Sequence, residues 1–165
     1  MTTRTLPALP AALIVILALA AGPRAATAAA HPAVSKHERK VIRIINSVRA
    51  EHGLGRVSAG RALNRAADHH SADMVAGGFL AHDSSDGSSF SARVRRFASF
   101  PNLGEILATV SPGAGAAQRA VDLWMGSAPH RAILLTAGYT RIGLAAREGT
   151  HGGHRMTYYT ADFGG

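Results

Sequence analysis

The sequence reads as an α+β domain, and three features point that way. Apolar residues recur at helical spacing through the first two thirds of the chain. They alternate at strand spacing near its end, with no internal repeat or low-complexity tract after the N-terminal segment. Helices first and strands mainly late make an α+β class rather than an alternating α/β one. The N-terminal segment, residues 1–30, stands apart. Arg4, the apolar run "AALIVILALAA" at 11–21 and the small-residue tract "AATAAA" at 25–30 have the order of a secretory signal peptide. The run falls short of the about 20 apolar residues a membrane span needs. The expected cut follows Ala30, leaving a secreted, extracellular, non-spanning mature chain from His31.

The elements follow in order. Ser35 precedes Glu38 by three, a capping-box signal. Val41, Ile44, Ile45 and Val48 then form one helical stripe that Gly53 closes. Residues 31–40 are thus an extension running into the first helix, and 41–165 are the domain. "GLGRVSAG" at 53–60 reads as a connecting loop. A second helix carries Leu63, Ala66, Ala67, His70 and Met74 on one face and ends at Gly77-Gly78. His70 lies on the apolar stripe, so it reads as a core histidine with a satisfied ring. "DSSDGSS" at 83–89 is a turn cluster. A third helix over 89–98 carries Phe90, Val94 and Phe97. "FPNLGEILATV" at 100–110 reads as irregular and extended. Ser111-Pro112 suits a helix start, and the fourth helix uses Ala117, Val121, Trp124 and Met125 before Gly126-Ser127 break it. A short helical turn over 130–135 follows. Ile142, Leu144 and Ala146 alternate, "REGTHGGHR" turns the chain, and "MTYYTADF" is strand-like, so these two segments pair as an antiparallel hairpin.

Composition narrows the function. With no cysteine, disulfides, thiolate metal sites, a cysteine nucleophile and an N-terminal lipidated Cys are all excluded. A secreted chain without disulfides points to a bacterial source. Removing Arg4 and Arg24 from 18 Lys+Arg leaves 16 against 10 Asp+Glu, a mature charge of +6. Outside a cell, that balance fits an anionic wall polymer or membrane surface better than nucleic acid. Only Arg93, Arg95 and Arg96 cluster, and no aromatics interleave with them as a stacking platform requires. They read as a solvated arginine surface, and no nucleic-acid partner is expected.

Four residues stand out chemically: His82, Glu105, His130 and Ser127. His82 sits between an apolar "FLA" and a turn. Glu105 is a lone carboxylate among apolar residues, costly to bury without a partner. His130 and Arg131 stand at the break after Trp124. Other motifs read as structural. His151 and His154 flank two glycines at a hairpin tip, too flexible for a preorganised site. His69 and His70 point in different directions from one helix. Ser127 with His130 lacks the sharp strand-to-helix turn of a serine nucleophile. Asp83-x-x-Asp86-Gly87 lacks the spacing and terminal Glu of a calcium loop.

The order of several motifs is more specific than any one of them. "INSVRAEHGL", "LNRAADHHSADM", "GFLAHDSSDG", "GEILA", "WMGSAPHR", "IGLA" and "YYTADFG" follow one another in a pattern that resembles the CAP (SCP/TAPS) superfamily, in its bacterial secreted form. The resemblance covers Val41 to Gly164. It implies a three-layer α-β-α sandwich with a small antiparallel sheet between helices, and a cleft gathering two histidines and acidic residues. By motif position, the cleft histidines fall on His82 and His130, as tentative ligands of zinc or another divalent metal. The glutamate of the family's "GEN" motif falls on Glu105, and Ser127, Arg131 and Asp83 stand beside the cleft. Neutral imidazoles suit zinc, and a carboxylate can fix a ring tautomer. Two departures are visible. The asparagine of "GEN" is Ile106, and the position where many members carry a second glutamate is Ser127. Bacterial relatives commonly read "SPGHR" here, whereas this chain reads "SAPHR". The resemblance therefore implies an extracellular binding module, more readily non-enzymatic, for a lipid, sterol or cell-wall component. The alternative is a metal-dependent, protease-like hydrolase using His82, His130 and Glu105 as general base, and a third is a basic secreted factor that binds a partner surface.

Overall fold

The structure, a computed structural model, describes Met1 and residues 34–165. The expected signal peptide, its cut after Ala30 and the first part of the 31–40 extension lie outside the described residues. α1 (Lys36–Glu51) begins where the capping box places it. The Ser35 hydroxyl accepts from the Glu38 N–H at 3.1 Å, and the Ser35 N–H donates to the Glu38 carboxylate at 2.7 Å. α2 (Arg61–Gly77) ends at Gly78, whose positive φ lets its N–H cap the last turn. Among the described residues, no helix is long and apolar enough to cross a membrane.

Four strands form one mixed sheet in the order β1-β3-β4-β2. β1 (Ser58–Ala59) pairs in parallel with β3 (Arg141–His151), and β4 (His154–Gly164) pairs antiparallel with both β3 and β2 (Leu103–Val110). The β3–β4 hairpin turns through Gly152 and Gly153, both at positive φ, as a tight primed turn requires. α3 (Phe90–Arg95), α4 (Ala116–Gly126) and α5 (Ala128–Leu134) complete the domain.

The helices lie on the two faces of this sheet, so the predicted three-layer α-β-α sandwich is present. One face sends Ile106, Ala108, Tyr159, Ala161, Phe163, Ile142 and Leu144 into the main core with Val41, Ile45, Val121, Trp124 and Leu134 from α1, α4 and α5. Burying each such large apolar side chain is worth about 1.5–3 kcal/mol. Trp124 also donates its indole N–H to the Leu107 carbonyl at 2.9 Å, fastening α4 to β2. The other face meets α2 and α3. There the backbones approach so closely that a Cβ on Gly143 would collide with the Leu63 carbonyl and lie 2.5 Å from the Asn64 nitrogen. This face has an apolar patch around Leu63 and Val94 and another around Met74, Leu107 and Tyr158.

The local reading needs four corrections. The segment read as irregular before Ser111 is β2. Both of its faces are covered, so the residues do not alternate in character and the strand signal is hidden. The 53–60 loop contains the two-residue β1, too short to carry a pattern, and its parallel pairing makes the sheet mixed rather than purely antiparallel. The third helix is confined to Phe90–Arg95. The fourth helix starts at Ala116, not at Pro112, because Gly113 and Gly115 both take positive φ.

Candidate functional site

Between the two apolar patches under α2 and α3 runs a buried polar band. It consists of His70, Ser71, Arg93, Glu105, Thr160 and Asp162, all nearly or completely inaccessible. Each has a local reason to be there. Glu105 and Asp162 are cross-strand partners on β2 and β4, so their side chains share one face. Ser71 reaches Thr160 at 2.8 Å. Arg93 completes the helical stripe of Phe90, Val94 and Phe97 at i+3, which turns its guanidinium inward.

Glu105 is the hub. One oxygen lies 2.9 Å from His82 Nδ1, and the other pairs with the fully buried Arg93 guanidinium. Arg93 also donates to the His82 carbonyl at 3.0 Å and to Ser84 Oγ at 2.9 Å. A carboxylate acceptor requires a donor at His82 Nδ1. The proton therefore sits there, and Nε2 is left to the solvent side. The His82 side chain is 51% exposed, enough for that nitrogen to meet a ligand. The hydrogen bond to Glu105 is the main cause that raises the His82 pKa above the ordinary histidine value, with burial and Arg93 opposing it.

His130 lies half-buried in α5, within electrostatic reach of His82. Burial, and then the His82 charge, lower its pKa, so the neutral imidazole is favoured. Ser127 shares the break between α4 and α5 and makes no side-chain cap bond. Arg131 is exposed and donates to the Met125 carbonyl at 2.9 Å, bracing α5 on α4. Asp83 is exposed beside His82, and its charge adds a minor upward push on that histidine's pKa. His70 is a core residue as expected. Its Nε2–H donates to the Ala81 carbonyl at 2.8 Å, and burial foremost lowers its pKa. Its ring is only half satisfied, since Nδ1 has no partner. His151 and His154 pair in register across the tight turn, with His151 Nδ1 3.2 Å from the Tyr158 hydroxyl.

Three buried ionisable residues are not legible as such in the sequence. Arg93 reads with the surface arginines, although its place on the α3 stripe is a usable signal. Asp162 is a lone acid in an apolar strand, the same signal that singles out Glu105. Arg49 is fully buried, where it donates to the Gly55, Leu134, Thr136 and Tyr139 carbonyls at 2.8 to 3.1 Å.

The donor set can be tested against a divalent metal. His82 presents Nε2 with a carboxylate fixing its tautomer, the arrangement that metal-bound histidines usually show. Among the described residues, no three His, Cys, Asp or Glu side chains are grouped to hold an ion, and both Glu105 oxygens are already engaged. The residues present thus do not make a closed four-ligand structural site, and what they offer a cation is two imidazoles within electrostatic reach of each other. Beyond Ser127, an open groove of about 750 Å³ runs between the end of β2 and α4. Val110, Leu123 and Met156 give it an apolar lining, and Arg119 and Asp122 add one charge of each sign.

Comparison with known proteins places this fold among relatives. The model of the Cysteine-rich secretory protein family (CAP) matches residues 42–163. The uncharacterized protein YkwD of Bacillus subtilis is 29% identical over 123 residues, which are 74% of this chain and 47% of YkwD. The chain therefore spans about half the length of that curated relative. Among solved structures, an outer surface protein of Borrelia burgdorferi superposes with a TM-score of 0.70 at 19% identity, covering 81% of this chain and 95% of that one. An extracellular protein containing an SCP domain from Bacillus anthracis superposes with a TM-score of 0.64 at 24% identity, covering 76% of this chain and 39% of that one.

Proposed function

Because the chain belongs to the CAP family of cysteine-rich secretory proteins, although it has no cysteine of its own, we propose that it is an exported extracellular binding module whose His82–His130 cleft holds a divalent metal. The observation that carries this reading is the Glu105–His82 hydrogen bond. It keeps His82 Nε2 out of that bond, and His130, within electrostatic reach of His82 and shifted toward its neutral form, supplies a second imidazole for the same cation. The metal, when bound, supplies a Lewis-acidic centre for an oxygen-bearing ligand. His82 and His130 hold it, Glu105 orients His82, and Arg93 holds Glu105.

The neighbouring groove takes the apolar part of the ligand, a lipid or a lipid-like cell-wall component. Its support is the apolar lining, with Arg119 at hand for an anionic head group and Leu123 54% exposed to receive a chain. A protease-like hydrolase on the same site has less support. The Glu105 side chain is fully buried behind the half-exposed His82, out of reach of a water in the cleft, so its role here is to position His82.

The test is equilibrium dialysis of the purified chain against zinc at micromolar free metal, followed by elemental analysis. About one zinc per chain is expected from the donor set, and none in the His82→Ala/His130→Ala double variant. No bound zinc in the unmodified chain would remove the metal reading. Titration with a fluorescent fatty acid tests the groove. Saturable binding that weakens in Leu123→Asp is expected, and an unsaturable signal counts against it. A casein and peptidoglycan panel with added metal, comparing Glu105→Gln with the unmodified chain, tests the hydrolase alternative. Equal rates dispose of it.

A further inference from the structure

A second acid lies beneath the histidine cleft and takes no part in holding a ligand. Asp162 is completely buried on β4, directly opposite Glu105 on β2. Both of its oxygens lack a hydrogen-bond donor, and as directly opposed residues on one face of the sheet the Asp162 and Glu105 carboxyls are buried neighbours. Two ionised carboxylates have only acceptors to offer each other, so this contact is repulsive unless one of them carries a proton.

The surroundings decide which one. Glu105 receives His82 Nδ1–H on one oxygen and Arg93 on the other. Asp162 receives nothing. The groups facing Asp162 can be named element by element. β2 brings Glu105 and α3 brings Arg93, whose Nε also has no partner. β3 brings Gly143, which has no charge. α2 brings His70 into the same buried band, a ring that burial foremost holds toward its neutral form and whose free Nδ1 can only accept. One buried cation therefore faces two acids, and it is already paired with Glu105. A bare Asp162 carboxylate would be a buried charge without a partner, among the costliest arrangements a protein can hold.

We propose that Asp162 is carried as the neutral acid and donates its proton to Glu105, making it a positioning residue for the carboxylate that orients His82. Each Glu105 oxygen has lone pairs for two donors, so the bond from Asp162 adds to those from His82 and Arg93 and displaces neither. Asp162 thus fixes the Glu105 carboxyl from below while Arg93 fixes it from the side. Burial foremost, and then the Glu105 charge, push the Asp162 pKa well above the ordinary carboxylate value, in agreement with this arrangement. The inference is independent of whether metal or lipid binds.

An acid whose folded pKa is raised contributes its full stability below its unfolded value of about 3.9 and loses it as the pH rises toward the folded value. Wild-type Asp162 therefore weighs against the fold at neutral pH. Asp162→Asn keeps the shape and supplies an amide N–H to Glu105 without needing a proton.

The experiment is infrared spectroscopy of the full chain with isotope-labelled aspartate at neutral pH, together with thermal melts over a pH series. One aspartic-acid carbonyl stretch is expected, shifted in heavy water and absent in Asp162→Asn. It should also vanish in Glu105→Gln, where Arg93 is free to pair with Asp162. Asp162→Asn should melt at or above the wild-type temperature at neutral pH, with the difference shrinking as the pH falls into the ordinary carboxylate range. Only ionised aspartates at neutral pH, or an Asp162→Asn chain that melts clearly below wild type there, would overturn the proposal. If the variant does not fold, the wild-type spectrum decides alone.

Discussion

Replacing Arg93 by Met tests whether the buried polar band is held by this one cation. Met fills the same channel beside Val94 but donates nothing. The structure shows three losses: the ion pair to Glu105, the bond to the His82 carbonyl and the bond to Ser84 Oγ. Glu105 would keep only His82 and the Asp162 contact, so a buried negative charge would lose its main compensation. Removing one partner of a buried pair costs about 3–5 kcal/mol. For a domain of this size that corresponds to a fall in melting temperature of about 12–20 °C, at roughly 4 °C per kcal/mol. Urea unfolding followed by circular dichroism measures the cost directly. Arg93→Met combined with Glu105→Leu should recover part of the loss, because the stranded charge is then gone. A single variant within about 1 kcal/mol of wild type, or a double variant no better than the single, would refute the reasoning.

Two further outcomes follow from the same geometry. In the metal-free chain, NMR titration should place His82 above and His130 below the ordinary histidine value, and Glu105→Gln should bring His82 down. Because the folded His82 pKa is raised, its stabilising contribution is complete below the unfolded value of about 6.5 and fades as the pH rises through the folded value. Gly143→Ala should cost about 3 kcal/mol or more, measured by thermal melt, since its Cβ would collide with the Leu63 carbonyl, which is backbone and cannot swing away.

Much of the scaffold is legible in the sequence because local signals agree with the packing. α1 declares itself twice, by its capping box and by its stripe, and the late hairpin by its alternation. β2 is not legible, because a strand covered on both faces shows no period. The site is legible in part for a related reason. His82 and Glu105, both singled out in the sequence, lie 2.9 Å apart. Their supports do not show, because Arg93 looks like its charged neighbours Arg95 and Arg96, and Asp162 looks like a chance polar residue at a strand end. A buried charge shows itself in sequence only by standing on an apolar stripe, and that clue needs the helix or strand phase to be known first.

Arg49 has a consequence for the cleft although it lies in α1, away from both histidines. Its guanidinium holds the carbonyls of Leu134 and Thr136, the far end of α5, which is the helix that carries His130. Arg93 does the same for the opposite wall by holding the His82 carbonyl. Each jaw of the cleft is thus hung from a cation inside the body of the protein, and the gap between the imidazoles is a distance between two internal anchors. Substitutions among the exposed residues around the histidines leave both anchors, and so the gauge of the opening, in place. A change at either arginine would reset that gauge without touching the mouth at all.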